Sequence, residues 1–315
     1  MENRLFVVIP CYNEEEVLPE TSRRISEKMR TLISAGKIAE NSRVVLVNDG
    51  SRDKTWEIIR ELHERDSLFS GVNLSRNRGH QNALLAGLMS VKDLADMTIS
   101  MDADLQDDID AIDEMVDCYL EGCDVVYGVR SSREKDSFFK RFTAESFYKL
   151  IRGMGGEVVF NHADYRLLSR RALLALSEFG ETNLFLRGII PMLGFKTDIV
   201  TYERGERFAG ESKYPLKKML AFAIEGITSL SAKPMRLIFT LGVLMLLAAF
   251  IILVAAFVRI LTGAATGFVW ISFSIWAVGG LILTSLGVVG EYVGKIYLET
   301  KKRPRFVVES FLHRD

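Results

Sequence analysis

Cysteine is scarce in this 315-residue chain. The three present, Cys11, Cys118 and Cys123, are odd in number and lack C-x-x-C spacing, which excludes a disulfide framework and a thiolate zinc site and fits a reducing compartment. An export signal is missing too. The N-terminal apolar run, Leu5 to Pro10, is too short for a signal-peptide core and is followed by Glu14, Glu15 and Glu16, so the first 200 residues are expected to stay in the cytosol. There is no internal repeat or low-complexity tract, and the net charge is only −1. That small sum conceals a division: residues 201–315 carry 14 Lys/Arg against 8 Asp/Glu, whereas residues 1–200 carry 26 against 33. Basic residues beside apolar runs favour anionic lipid head groups, and no nucleic-acid partner is expected.

Short β-rich runs alternate with helical stretches through the first two thirds. The strand candidates, Leu5 to Ile9, Val44 to Val47, Gly71 to Leu74, Met97 to Met101 and Val125 to Gly128, are near-continuously apolar, as strands covered on both faces are. Between them, Glu14 to Ser34, Thr55 to Arg65, Gln81 to Lys92 and Ile109 to Glu121 carry helical patterns. This βαβ rhythm predicts an α/β fold with a mostly parallel, doubly wound sheet, whose ligands bind beyond the carboxyl ends of the strands.

The last third changes character. Leu237 to Val258 gives 22 residues without a charge, and Ile260 to Gly290 another 31, room for a second span around Phe268 to Val289. A 22-residue helix is about 33 Å long, matching a hydrocarbon core of roughly 30 Å. Only Arg259 sits in the connector, while Lys217, Lys218, Lys233 and Arg236 precede the first span and Lys295, Lys301, Lys302, Arg303 and Arg305 follow the second, so both termini are expected on the cytoplasmic side of a plasma membrane. Tyr214 to Met235 reads either as a helix lying in the bilayer interface or as a packed helix of the soluble domain. The expected layout is a cytoplasmic domain over 1–212, an amphipathic region over 213–235, a two-helix transmembrane hairpin over 236–290 and a cytoplasmic tail over 291–315.

The sharpest chemical feature is Asp102-Ala-Asp-Leu-Gln106, directly after an apolar strand. If the backbone stays extended, Asp102, Asp104 and Gln106 share one face and offer two carboxylates and an amide oxygen, a donor set suited to Mn²⁺ or Mg²⁺ together with substrate phosphate oxygens. Asp107, Asp108 and Asp110 are read as the start of the next helix. At the first strand end Tyr12 is placed to lie against a nucleobase, and Asn13 or Glu14 to bond a ribose; helix capping by Asn13 is the competing role. Asp49 is an acceptor for a base N–H, and Asp53 caps the helix beginning at Thr55. Ser75 to Asn82 brings glycine and basic side chains to a helix N-terminus, a natural anion site, although Arg78 and His80 also suit a solvated loop. Gly153-Met-Gly-Gly156 is too short for a phosphate loop and fits a lid or a plain turn.

Taken in order, Pro10-Cys-Tyr-Asn-Glu-Glu, Asn48-Asp-Gly-Ser-Arg-Asp-Lys-Thr, Asn77-Arg-Gly, Asp102-Ala-Asp-Leu-Gln-Asp and Ala163-Asp-Tyr-Arg-Leu-Leu-Ser-Arg resemble family 2 glycosyltransferases of the dolichyl-phosphate mannose synthase type. The resemblance is closest to the bacterial subgroup that glucosylates undecaprenyl phosphate. It implies a GT-A fold and inverting transfer of one hexose from a UDP-sugar, UDP-glucose or a UDP-N-acetylhexosamine, to a polyprenyl phosphate. It also implies that Asp104 and Gln106 ligate the metal with Asp102 between metal and nucleotide, and that Pro10, Tyr12, Glu14, Asp49 and Asn77 line the donor site. Asp164 matches the acidic residue near the reacting centre, with a structural acid bonded to Arg166 as the alternative. A phosphate monoester, with a second pKa near 6, is largely ionised at pH 7, so Asp164 is expected to orient groups as much as to take a proton. Arg130, Arg133 and Lys213 are the candidates for the acceptor phosphate.

Processive polysaccharide synthases add a Gln-x-x-Arg-Trp motif, and the two glutamines here, Gln81 and Gln106, do not fit it. An inactive scaffold or sensor that keeps the fold is the remaining rival. The partners this admits are the lipid bilayer, a flippase and a second copy of the chain.

Overall fold

The computed structural model describes residues 3–131, 162–181, 185–203, 205 and 268–314, with scattered positions between 235 and 254. In chain order β1 (Leu5–Cys11), α1 (Leu18–Ser34), β2 (Arg43–Asn48), α2 (Thr55–Arg65), β3 (Phe69–Leu74), α3 (His80–Val91), β4 (Met97–Ser100), α4 (Ala111–Leu120) and β5 (Val125–Arg130) follow the expected alternation. Then come β6 (His162–Ser169), α5 (Arg170–Ser177), α6 (Leu186–Met192), β7 (Thr197–Tyr202), α7 (Phe268–Thr300) and β8 (Val308–Leu312). Helix α1 starts later than expected because Glu14 to Val17 form a turn, and Pro19, which lacks an N–H, takes a first-turn position where none is needed.

One sheet runs in the order β7-β5-β6-β4-β1-β2-β3-β8. Strands β4, β1, β2 and β3 are mutually parallel, but β6 lies antiparallel to both β4 and β5, and β8 antiparallel to β3. The architecture is therefore a GT-A-like α/β fold whose sheet is mostly parallel, as expected, but mixed: β7 runs parallel to β5, and among the described strands β6 and β8 run against the other six. An antiparallel strand needs no crossover helix, so a βαβ rhythm does not announce it.

Successive residues of β1 alternate between two cores. Leu5, Val7, Ile9 and Cys11 pack with α1 and α4 on one face, and Phe6 and Val8 pack with α3, α5 and α6 on the other. Helix α1 presents Leu18, Ile25, Met29 and Leu32, each at most 1% exposed, and each such burial stabilises by about 1.5–3 kcal/mol. A charged residue at Ile25 would detach the helix. Opposite, α3 sits so close that a Cβ on Gly87 would lie 2.4 Å from Val8 Cγ1 and 2.6 Å from Val47 Cγ2. This tight seat fixes the N-terminus of α3, and with it His80, over the carboxyl ends of β1 and β2.

Helix α7 has 33 residues, about 50 Å at 1.5 Å per residue. Its Ala277–Thr300 stretch has a mean hydropathy of 1.5 and is not buried against the rest of the protein, making α7 the one helix among the described residues long and apolar enough to cross a membrane. The second expected span lies within it. Described positions from 238 to 254 are helical; the rest of the first expected span, and Tyr214 to Met235 apart from its last residue, lie outside the described residues. The stretch expected as a tail divides between the end of α7 and β8, which joins the sheet.

Candidate active site

Because β1 to β4 run in parallel, the loops after them leave a single edge of the sheet, with Cys11 opposite Asn48 and Asn48 opposite Asn73. The first two loops clasp each other. Asn13, at φ 55, donates its N–H to Ser51 Oγ at 3.0 Å and accepts from Arg52 N–H at 2.9 Å on Oδ1. Glu14 N–H reaches Thr55 Oγ1 at 2.9 Å, and Glu15 pairs its N–H with Asp53 Oδ2 and its Oε2 with Lys54 N–H. Asn13 therefore pins one loop to the other and does not cap α1. Asp53 accepts from the Thr55 N–H and hydroxyl on Oδ1, but the N-cap of α2 is Lys54, with no side-chain cap bond, so Asp53 braces the approach to the helix and is not the cap expected. Pro10 is buried in β1 opposite Val47, and the ring of Tyr12 emerges from the edge 42% exposed.

Asp49 is 2% exposed, and its two carboxylate oxygens accept from the backbone N–H groups of Arg78 (2.7 Å) and Gly79 (2.9 Å). Burial raises its pKa, and those two bonds and the His80 and Arg78 charges oppose the rise without cancelling it. Asp49 thus organises the loop that leads into α3. Gly50 makes that approach feasible: at φ +62, a Cβ would stand 2.5 Å from Asn77 N and 2.6 Å from Arg76 C. Asn77 itself is exposed, its backbone packed on this glycine.

After β4 the chain does not stay extended. Ala103 and Asp104 form a turn and Leu105 sits at φ 58, so the common face expected for positions 102, 104 and 106 is corrected to a bend. Asp104 Oδ1 accepts from Gln106 N–H at 3.2 Å, and Gln106 O accepts from Gly205 N–H at 2.9 Å. A γ-branched residue in the left-handed region carries about 1–3 kcal/mol of strain, which surrounding contacts must overcome. Asp107 supplies one. It is not the helix starter expected: it is 4% exposed, accepts from Tyr202 OH at 2.5 Å and lies 3.7 Å from Arg130 Nη2. Tyr165, edge-on to Tyr202, donates its OH to Asp108 O at 2.8 Å.

Asp164, on β6, meets this bend from the side. Arg166 Nη2 donates to its Oδ1, and Arg187 from α6 grips both oxygens at 3.2 and 3.1 Å. Burial would raise its pKa, but Arg187 and Arg166 outweigh it and hold the carboxyl well below the usual carboxylate range. Such a group stays ionised and is a weak proton acceptor. His80 Nε2 lies 3.4 Å from Asp102 Oδ1 and 3.7 Å from Asp164 Oδ2, so two aspartates far apart in sequence meet across one imidazole. Burial, together with the carboxylates of Asp107, Asp164 and Asp104, pushes Asp102 up to about 6 against the pull of His80. A third of its side chain, 36%, still meets solvent.

These residues fit a hard divalent cation. Among the described residues no group of three or more His, Cys, Asp or Glu could by itself hold a metal ion, but Mg²⁺ or Mn²⁺ takes one or two protein carboxylates with water and phosphate oxygens. Crowded aspartates at a solvent-reached edge supply such a partial shell. Arg130 is half-buried, its Nε 3.4 Å from Tyr202 OH. Arg133, Lys213 and the Gly153–Gly156 stretch lie outside the described residues.

Residues 6–176 match the profile described as Glycosyl transferase family 2. A Bacillus subtilis protein described as the uncharacterized glycosyltransferase YkoT is 47% identical over 99% of this chain and 93% of its own length. The chain belongs to glycosyltransferase family 2. A second relative of this family 2 chain, the prophage bactoprenol glucosyl transferase homolog of Escherichia coli, is 37% identical over 97% of this chain and 98% of its own. The bactoprenol glucosyl transferase of Shigella phage SfX is also 37% identical, over 98% and 99%. Among solved structures, the Pyrobaculum calidifontis mannosyltransferase PcManGT with GDP-Man and Mn²⁺ aligns at TM-score 0.47 and 17% identity, covering 91% of this chain and 86% of that one.

In this family 2 enzyme the sequence motifs gather Asp102, Asp104, Gln106 and Asp164 around one bend beside the clasped loops. Sequence reasoning missed Arg187, Tyr202 and the buried role of Asp107. For Asp107 a signal existed, a third acid at the end of the Asp-x-Asp-x-Gln-Asp run; for Arg187 and Tyr202 nothing near them in sequence marks the site.

Proposed function

We propose that this glycosyltransferase transfers one hexose, with inversion, from a UDP-sugar to a polyprenyl phosphate such as undecaprenyl phosphate, giving a lipid-linked monosaccharide at the cytoplasmic face of the plasma membrane. UDP-glucose is the first donor, with UDP-N-acetylhexosamine as the alternative. The observation that carries the proposal is the meeting of Asp102 and Asp164 across His80, 3.4 and 3.7 Å away, at the edge formed by the clasped loops. Support for the lipid acceptor comes from the relatives named bactoprenol glucosyl transferase, which match over nearly their whole length, from α7 and from the basic residues around the two apolar runs.

In the reaction an acceptor phosphate oxygen attacks the anomeric carbon as the bond to the diphosphate breaks, releasing UDP. The acceptor arrives ionised, so no strong base is needed, and Asp164 with Arg187 and Arg166 holds the geometry of the centre. Tyr12, Asn13, Glu14, Asp49 and Asn77 are assigned to the donor nucleotide, and Arg130, Arg133 and Lys213 to the acceptor phosphate. Asp102, Asp104 and Gln106 would hold Mn²⁺ or Mg²⁺, which neutralises the charge gathering on a departing diphosphate.

Membranes containing the chain, incubated with radiolabelled UDP-sugars and polyprenyl phosphate, are expected to form a labelled lipid. Asp104→Ala should abolish both that product and metal-dependent UDP binding while membrane insertion persists. Full transfer in that variant, or no lipid product with any UDP-sugar, refutes the proposal.

A further inference from the structure

A line of hydrogen bonds runs from the edge strand β8 to the loops assigned to the nucleotide. Glu309 Oε2 accepts from Asn73 Nδ2 at 2.7 Å. The other end of that amide, Asn73 Oδ1, accepts from Asn48 Nδ2 at 2.7 Å. Asn48 Oδ1 in turn accepts from Ser51 N–H at 3.1 Å, and Ser51 Oγ from Asn13 N–H at 3.0 Å. Glu309 and Asn73 are 236 positions apart, so chain that lies beyond the apolar helix α7 reaches the end of β1. The pairing of β3 with β8 passes from Asn73 opposite Ser310 to Leu74 opposite Val308. Glu309 is therefore the extra residue of a bulge, the device that re-aims a side chain along an edge.

Chemistry at the two ends fixes the direction of every bond. A carboxylate only accepts, so Asn73 turns its NH₂ toward Glu309 and its oxygen toward Asn48. Asn48 then offers its NH₂ to that oxygen and its own oxygen to Ser51, whose backbone N–H only donates. We propose that Glu309 is a positioning residue of the donor site, setting the polarity of the Asn73–Asn48 relay and so holding the Gly50–Ser51 turn against Asn13. The proposal rests on the assignment of these loops to the donor nucleotide.

The decisive variant is Glu309→Lys. An ammonium only donates, so Asn73 would present its oxygen to it and its NH₂ to Asn48. Asn48 would then turn its own NH₂ toward the Ser51 N–H, donor against donor. Glu309→Gln keeps an acceptor and should behave as the wild type. In the full chain in lipid nanodiscs, Glu309→Lys should speed amide hydrogen exchange in the peptide containing Ser51 and raise the donor KM about five- to tenfold, the loss of one hydrogen bond. Acceptor KM and thermal stability should stay near wild type. Simple attraction predicts the opposite sign, because a new cation would lower the KM of an anionic donor. Asn73→Ala cuts the relay in the middle, and adding Glu309→Lys to it should then change nothing further. Unaltered exchange in Glu309→Lys, or the same defect in Glu309→Gln, overturns the relay. Faster exchange with an unchanged donor KM instead overturns the assignment of these loops to the donor.

Discussion

Replacing Asp164 with asparagine keeps the size of the side chain and removes its charge. In the folded chain that carboxylate, 10% exposed, faces the Arg166 guanidinium at 1% exposure and Arg187 at 29%. Removing one partner of a buried pair costs about 3–5 kcal/mol, because the remaining charge stays in a medium that solvates it poorly. For a domain of this size, about 2–4 °C per kcal/mol puts the fall in Tm at roughly 6–20 °C at neutral pH. The dependence on acidity has a definite sign. The Asp164 carboxyl is held below its ordinary value in the folded chain, so its contribution is complete above the unfolded pKa of about 3.9 and fades as pH falls toward the folded value. Thermal unfolding of the solubilised full chain, followed by intrinsic fluorescence, should show a constant gap between wild type and Asp164→Asn from pH 8 to 5 that narrows below about pH 4. Pairing Asp164→Asn with Arg166→Met removes the stranded charge and should recover much of the loss. An unchanged Tm at pH 7, or a gap that widens on acidification, refutes the buried ion cluster as what holds Asp164.

Gly50→Ala puts a Cβ 2.5 Å from Asn77 N at φ +62; it should destabilise by about 2 kcal/mol or more and raise the donor KM at least about tenfold, measured by unfolding and steady-state kinetics. Tyr12→Ala removes an exposed ring without touching the core, so Tm should hold while UDP affinity by calorimetry falls by about 1–3 kcal/mol, the value of stacking a base on an aromatic face. Tyr202→Phe deletes the hydroxyl that binds Asp107 and lies beside Arg130. A lost bond to a buried carboxylate costs about 1.5–3 kcal/mol, and the kinetic signature should be a higher acceptor KM at a nearly unchanged donor KM.

Apolar continuity made the parallel half of the sheet legible. Strands β1, β2, β3 and β5 each contain the run expected of them, β4 ends at Ser100, one residue short of the expected Met101, and α2 spans the expected residues without adjustment. Strand β6 escaped for a physical reason: Asp164 and Arg166 suggest a solvent-facing segment, yet both are buried because each neutralises the other. The sequence admits the pairing of Asp164 with Arg166 as the alternative, but pattern reading sends polar residues outward and so does not place that pair on a buried strand. Arg187 arrives from a helix elsewhere in the chain, and β8 is a five-residue stretch, Val-Glu-Ser-Phe-Leu, with neither alternation nor an apolar run, so neither announces itself locally. The bend at Leu105 was equally hidden, because a leucine at φ 58 carries none of the glycine or asparagine signal that marks such a conformation.

Charge explains why this half-legible site needs so many anchors. Around the bend stand the carboxylates of Asp102, Asp104, Asp107 and Asp164, opposed among the described residues near them by Arg130, Arg166 and Arg187, with His80 between two of the acids. Arg166 and Arg187 are committed to Asp164, and Arg130 faces Asp107. A nucleotide diphosphate and a lipid phosphate entering this cleft would therefore meet acids before unengaged arginines, and at short range in a low dielectric such repulsion is far stronger than in water. Further positive charge entering with the donor would offset that repulsion, and Asp102 and Asp104 are the acids at the bend. Donor affinity should thus fall steeply when divalent ions are chelated, while the fold, held by the arginine pairs and the two apolar cores, should keep its Tm.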